Sequence, residues 1–212
     1  MYPTGLTSIA LACVWTGVYM SGFSWSGDSR TFNWHPLLMT MGLVYLYGNA
    51  AVVYRVVRTK NKLTLKWLHA VLNGLSLVFA FFGVVAVVRN HHHNNIPNGY
   101  TLHSWIGITT LVLYAFQLLF GFSAFLYPKF GENVRAIYLK VHVFFGGAIF
   151  SLAIVACVSG ITEKLIFKLG KEYSSLPGCA MIGNMLGASI VLFGMTAVHI
   201  LYNKDWRKKC TE

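Results

Sequence analysis

Six long windows of this sequence contain no aspartate, glutamate, lysine or arginine: about residues 4–24, 35–54, 67–88, 103–127, 141–161 and 180–202. About 20 predominantly apolar residues in a helix cross the hydrocarbon core of a bilayer, and each window is long enough. Inside that core the backbone must satisfy its own hydrogen bonds, which a helix does within one segment. The expected fold is therefore all-α: a membrane protein of six transmembrane helices forming a single domain over residues 1–212. The share of charged residues, 11%, is less than half the roughly 25% of soluble proteins. The first window lacks a basic leader and reads as a retained span. No G-x-G-x-x-G fingerprint is present, so a reductant has to come from outside the chain.

The net charge of +11 suggests nucleic acid until its distribution is considered. Arg55, Arg58, Lys60, Lys62 and Lys66 lie between the second and third windows, Lys129, Arg135 and Lys140 between the fourth and fifth, and Lys204, Arg207, Lys208 and Lys209 in the tail. With six spans, all twelve fall on one side, against Arg30, Arg89, Lys164, Lys168 and Lys171 on the other. Positive residues mark the cytosolic face, so both termini are expected there, and no nucleic-acid partner is implied. The four cysteines show no C-x-x-C spacing, which excludes a c-type haem attachment and a zinc ribbon. Cys210, in the basic tail, is either a palmitoylation site or a plain thiol.

Four of the windows begin at or beside a histidine: His35 in NWHPLL, His69 in WLHAVL, His103 in TLHSWIG and His142 in KVHVFF. Because spans alternate in direction, His35 and His103 fall near the outer face, and His69 and His142 near the cytosolic face. A titratable group inside a membrane span is costly and usually functional. Two histidines at one depth on neighbouring helices suit the two axial positions of a haem iron. Small residues stand near them: Gly42, Asn73, Gly74, Gly107, Gly146 and Gly147. These either make room for a flat cofactor or simply let helices pack closely. Zinc prefers four ligands, and the six acidic residues all fall in expected loops or the tail, leaving none to complete a tetrahedron. His91, His92 and His93 sit in an expected outer loop, and His199 near the inner end of the last span reads as structural.

FNWHPLLM, LHSWIGI, FLYPKF and ITEKLIF, in this order and with the four histidines so spaced, make the whole chain resemble the transmembrane cytochrome b561 family, nearest its animal ferric-reductase branch. The resemblance implies six spans and two haem b groups, one held by His35 and His103 and the other by His69 and His142. It implies a transmembrane oxidoreductase, passing electrons from cytosolic ascorbate to monodehydroascorbate or ferric iron on the far side. It further implies a homodimer, in the plasma membrane or in an endosomal, lysosomal or secretory-vesicle membrane.

Substrate positions follow from the same resemblance. Cationic residues like Lys62, Lys66 and Arg135 bind ascorbate in the family. The spacing supports this separately. Lys62, Lys66 and His69 share one helical face, and Arg135 stands two turns before His142, roughly 10 Å along a helix. A basic funnel there attracts an anion. Arg55 is placed to pair with a haem propionate. On the outer side, His91 and Asn90 match the loop that meets the acceptor, with Tyr100 and Trp105 bordering the haem. Asn33, Trp34 and Ser104 either contact the ligand histidines or only pack. Phe116, Phe144 and Phe145 are expected between the two haems, as path or as core. Two other classes remain: a haem or metal-ion transporter using the same histidines, and a membrane anchor that hands electrons to a partner enzyme.

Overall fold

The computed structural model describes residues 1–57, 59–203 and 205, and these form helices joined by short connections, with no strand among them. Arg58, Lys204, Arg207, Lys208, Lys209 and Cys210, named above, lie outside the described residues. Helix α1 (Tyr2–Val14) continues through a π-helical turn at Trp15–Tyr19. Three short helices, α2 (Ser29–Phe32), α3 (Trp34–Met39) and α4 (Tyr47–Val56), with a π-helical stretch at Thr40–Leu46, make a nearly continuous second rod. The long helices are α5 (Lys62–His93), α6 (Leu102–Phe125), α7 (Glu132–Leu169) and α8 (Gly178–Tyr202).

Local chemistry sets the starts of these elements. Asp28 caps α2 by accepting from the Arg30 amide, and its ion pair with the Arg30 guanidinium at 2.8 Å helps hold the carboxyl down to about 2. Asn61 caps α5 through the Thr64 amide at 2.8 Å, and Thr101 caps α6 through the Ser104 amide at 3.2 Å. Pro36 sits in the first turn of α3, where a missing N–H removes no helical bond.

Five helical runs are long and apolar enough to cross a membrane: Ser29–Val56, Lys62–His93, Leu102–Phe125, Glu132–Ser175 and Gly178–Tyr202. The N-terminal helix is not among them. It stops at Tyr19, short of the expected residue 24, because Ser21 and Gly22 both take positive φ and turn the chain. It lies along α8, with the Ser8 and Ser189 hydroxyls 3.0 Å apart. The charge-free windows also underestimate two helices. α5 runs past residue 88 to His93, so the His91–His93 tract is a last helical turn and not a loop. α7 runs 38 residues, about 57 Å, which is well beyond the ~30 Å core. Glu132 and Glu163 are thus helical, not in loops.

The core gathers around the second rod. That rod packs on α5, α6 packs on α7, and α7 packs on α8. Gly42 serves this packing: a Cβ there would stand 2.9 Å from the Ser76 carbonyl oxygen and 3.0 Å from the Phe79 Cβ, and the Ser76 hydroxyl donates to the Gly42 carbonyl at 2.8 Å. The close helix contact, and not room beside a histidine, accounts for this glycine. Gly42→Ala presses a methyl onto a backbone oxygen that cannot rotate away. It is expected to destabilise the protein by about 1–3 kcal/mol, read as a lowered unfolding midpoint in detergent. An unchanged midpoint would show that the two helices separate easily.

Candidate functional site

A histidine in an apolar helix needs a partner for its ring N–H. Each of three histidines finds it on a neighbouring helix. His35 Nδ1 meets the Gly83 carbonyl at 3.0 Å, His69 Nδ1 meets the Ala50 carbonyl at 2.8 Å, and His103 Nδ1 meets the Ala156 carbonyl at 2.9 Å. A carbonyl only accepts, so Nδ1 carries the proton in each case. Nε2 is then left with its lone pair, the form that ligates a metal. His142 differs: its Nδ1 is buried with no hydrogen-bond partner among the described residues.

The rings come together as the alternation of spans predicts. His35 faces His103 and His69 faces His142, each pair with ring centroids 6.1 Å apart. Placing one metal between two imidazoles at about 2 Å from each nitrogen sets the centroids roughly 6 Å apart. Among the described residues no group of three or more His, Cys, Asp or Glu is gathered that could hold a metal ion. Each pair brings two imidazoles together with no third candidate ligand among the described residues, a set that suits a haem iron and not a zinc tetrahedron. The same finding leaves His91, His92 and His93 short of a metal cluster.

Two glycines missed in the sequence accommodate the rings. A Cβ on Gly160 would stand 2.5 Å from His103 Cε1, and one on Gly121 would stand 2.7 Å from His142 Cε1. His103 and Gly121 are 18 residues apart on α6, and so are His142 and Gly160 on α7. Eighteen residues make five turns, so each helix carries a histidine and a glycine seat on one face about 27 Å apart. Two antiparallel helices so built supply both ends of the molecule. Gly74 and Gly107, expected beside the histidines, have open space where a Cβ would stand, beyond the backbone of their own helical turns. Gly146 faces Gln117, and Gly147 faces the Tyr202 hydroxyl.

The expected cytosolic cations converge. A cavity of about 540 Å³ is lined by His69, His142, Arg55, Lys62, Lys66 and Arg135 together with apolar residues. This is the size range of ligand sites. Lys66 Nζ also donates to the Phe125 carbonyl at 3.1 Å, capping the end of α6 with a cation. Arg135 Nε is buried without a hydrogen-bond partner among the described residues. Glu132 joins the lining and was not anticipated. Phe125 and Tyr138 stand 5.5 and 5.8 Å from the His142 ring, and Tyr54 stands 5.6 Å from His69.

The outer expectations fare unevenly. Asn90 is buried, with its amide donating to the Gly27 and Asp28 carbonyls at 3.3 and 2.7 Å. His91 Nδ1 lies 2.9 Å from Asn98 Oδ1. Tyr100 and Trp105 are exposed, and the Trp105 indole donates to the Gly99 carbonyl. Asn33 donates to the Met20 and Gly22 carbonyls, Trp34 stacks with Trp25, and Ser104 belongs to the α6 cap, so packing and capping explain all three. Phe116, Phe144 and Phe145 are exposed on the outer faces of their helices. The buried interior instead holds Tyr47 against Tyr114 at 4.5 Å and Tyr47 against Phe150 at 5.4 Å.

A family model described as eukaryotic cytochrome b561 matches residues 34–168, which include all four histidines and both glycine seats. The chain belongs to the cytochrome b561 family. The lysosomal membrane ascorbate-dependent ferrireductase of Danio rerio is 45% identical, over 96% of this chain and 86% of that protein. The transmembrane ascorbate-dependent reductase of Homo sapiens is 42% identical, over 96% of this chain and 81% of that protein. The human lysosomal membrane ascorbate-dependent ferrireductase is 41% identical, over 96% and 86%. As a family member the chain is a multi-pass membrane protein that binds haem b. The ring spacing, the free Nε2 atoms and the glycine seats fit that group.

If the seats matter, a methyl is enough to disturb them. Gly160→Ala, which crowds the His103 ring, and Gly121→Ala, which crowds the His142 ring, are each expected to lower or broaden a low-spin haem signal. Both are read as haem per chain and as low-temperature electron paramagnetic resonance. Wild-type haem content and line shape in both variants would remove the seats from the site.

Proposed function

We propose that this chain is an ascorbate-dependent transmembrane reductase with two haem b groups, one held by His35 with His103 and the other by His69 with His142. The observation that carries the reading is the pairing itself: two imidazole pairs with the same 6.1 Å spacing, one of them opening on a cavity lined by cations. When bound, the haems would supply one-electron transfer, and His35, His103, His69 and His142 are the residues that would hold them.

The chain's own residues do the rest. Lys62, Lys66 and Arg135 attract the ascorbate monoanion and orient it beside the inner pair. Lys66 has a donor to spare, since only one N–H is used on Phe125. Arg55 pairs with a propionate. Ascorbate gives up one electron, releases its remaining acidic proton to cytosolic water, and leaves as monodehydroascorbate. On the other side the acceptor gains one electron near His91. Asn90 contributes there by tying the Gly27–Asp28 backbone to the end of α5. The acceptor is monodehydroascorbate or a ferric complex, and the ferric one is the acceptor that the ferrireductase relatives' names carry. In this reading the N-terminal helix is a sixth span, both termini are cytosolic, and the functional unit is a homodimer in a plasma, endosomal, lysosomal or secretory-vesicle membrane.

Purified protein reduced by ascorbate is expected to show two low-spin b haems per chain. His35→Ala or His103→Ala should remove one signal, and His69→Ala or His142→Ala the other. Loss of neither would end the pairing. A chain that folds with adequate haem supply but retains no stoichiometric haem would favour a transporter.

Lys66→Ala combined with Arg135→Ala is expected to raise the KM for ascorbate about tenfold or more, while dithionite still reduces both haems. Unchanged ascorbate kinetics would move the donor site elsewhere.

A further inference from the structure

The outer histidine pair has a cation of its own that the known parts of the reading leave unused. Lys164 lies one turn beyond Gly160 on α7, so it shares the helix face against which the His103 ring is seated. Its ammonium stands 4.0 Å from the centroid of the Phe32 ring. That ring in turn stands 5.8 Å from the His35 ring. Lys164 is thus linked to both histidines of the pair, to one through a glycine on its own helix and to the other through a single aromatic ring. The one salt bridge among the described residues is Asp28–Arg30, so no described carboxylate lies within 4.0 Å of this ammonium. Glu163 is its chain neighbour but points about 100° away round the helix. A lysine that merely snorkels directs its charge to water or headgroups along the membrane surface. This one is half-buried and turned over a ring that adjoins a ligand histidine.

We propose that Lys164 is the anion-pairing cation of the outer site, taking a carboxylate or a delocalised oxygen anion beside His35 and His103. It is the outer counterpart of the Lys66 and Arg135 cluster. The anion has two sources of the same chemistry: a propionate of the haem held there, or the anionic acceptor. The inference rests on the reading that His35 and His103 hold a haem.

The test uses the full-length purified protein, with Lys164→Met to keep the apolar stem over Phe32 and Lys164→Arg to keep the charge. Wild-type protein must first show two low-spin haems; if it does not, the underlying reading fails, whatever Lys164 does. Three quantities are then measured: haem per chain, the redox equilibrium of each haem, and kcat and KM with ferric citrate as an anionic acceptor and hexaammineruthenium(III) as a cationic one. With a propionate partner, Lys164→Met shifts the oxidised-to-reduced ratio of the outer haem at fixed potential by about three- to tenfold towards oxidised, or loses that haem, and Lys164→Arg restores it. With an acceptor partner, haem content and equilibrium stay as in wild type, the KM for ferric citrate rises about tenfold, and that for hexaammineruthenium(III) does not. Wild-type values in all three quantities for Lys164→Met would overturn the proposal. So would loss of the outer haem in both variants, because packing and not charge would then be the cause.

Discussion

The hydrogen bond from a histidine Nδ1 to a backbone carbonyl on another helix is the interaction on which the arrangement turns. It settles the tautomer, aims Nε2 across the interior, and ties one rod to its neighbour. His35 and His69 make these bonds reciprocally, the first from α3 to α5 and the second from α5 to α4. Two opposed bonds fix the relative height of the second rod and α5, because a slide in either direction breaks both. A carbonyl in a helix has a second lone pair free for this purpose. The bond therefore forms without removing a helical one.

The α6–α7 pair repeats the plan with glycine in place of part of the bonding. The Ala156 carbonyl that accepts from His103 lies one turn before Gly160, the seat of the same ring. By the same rule the equivalent acceptor for His142 is the carbonyl of Gln117, one turn before Gly121. There the likeness stops: the Gln117 side-chain amide donates instead to the His142 carbonyl at 2.6 Å, and His142 Nδ1 is left over. The two ends of the molecule are similar in geometry yet unequal in hydrogen bonding. Where a histidine binds a metal, a difference of this kind in its hydrogen-bond partner tunes that metal.

What could be read from the residues follows the reach of local periodicity. The register of Lys62, Lys66 and His69, and that of Arg135 and His142, needs only a helix, and α5 and α7 supply one. The pairing of histidines needs only alternation of spans. The seats at Gly121 and Gly160 needed knowledge of which helices touch, which no short window contains. The inward direction of α6 was equally hidden. Its run from Leu111 to Phe125 is uncharged all round, so Phe116 and Tyr114 look alike until Tyr114 is found buried with its hydroxyl on Asn73. Charge misled at the helix ends. Lysine and glutamate close an apolar window but do not stop a helix, which is why α7 outruns its window at both ends.

That overrun gives α7 a mechanical character. It carries Arg135 and His142 towards one face, and Gly160 and Lys164 towards the other, on a single rod with no proline between them. A helix longer than the hydrocarbon is thick adjusts to its bilayer mainly by tilting. Tilting a stiff rod about its middle carries its two ends in opposite directions. The thickness of the surrounding lipid thus acts on the His69–His142 end and the His35–His103 end together, as a weight on one arm of a balance is felt at the other.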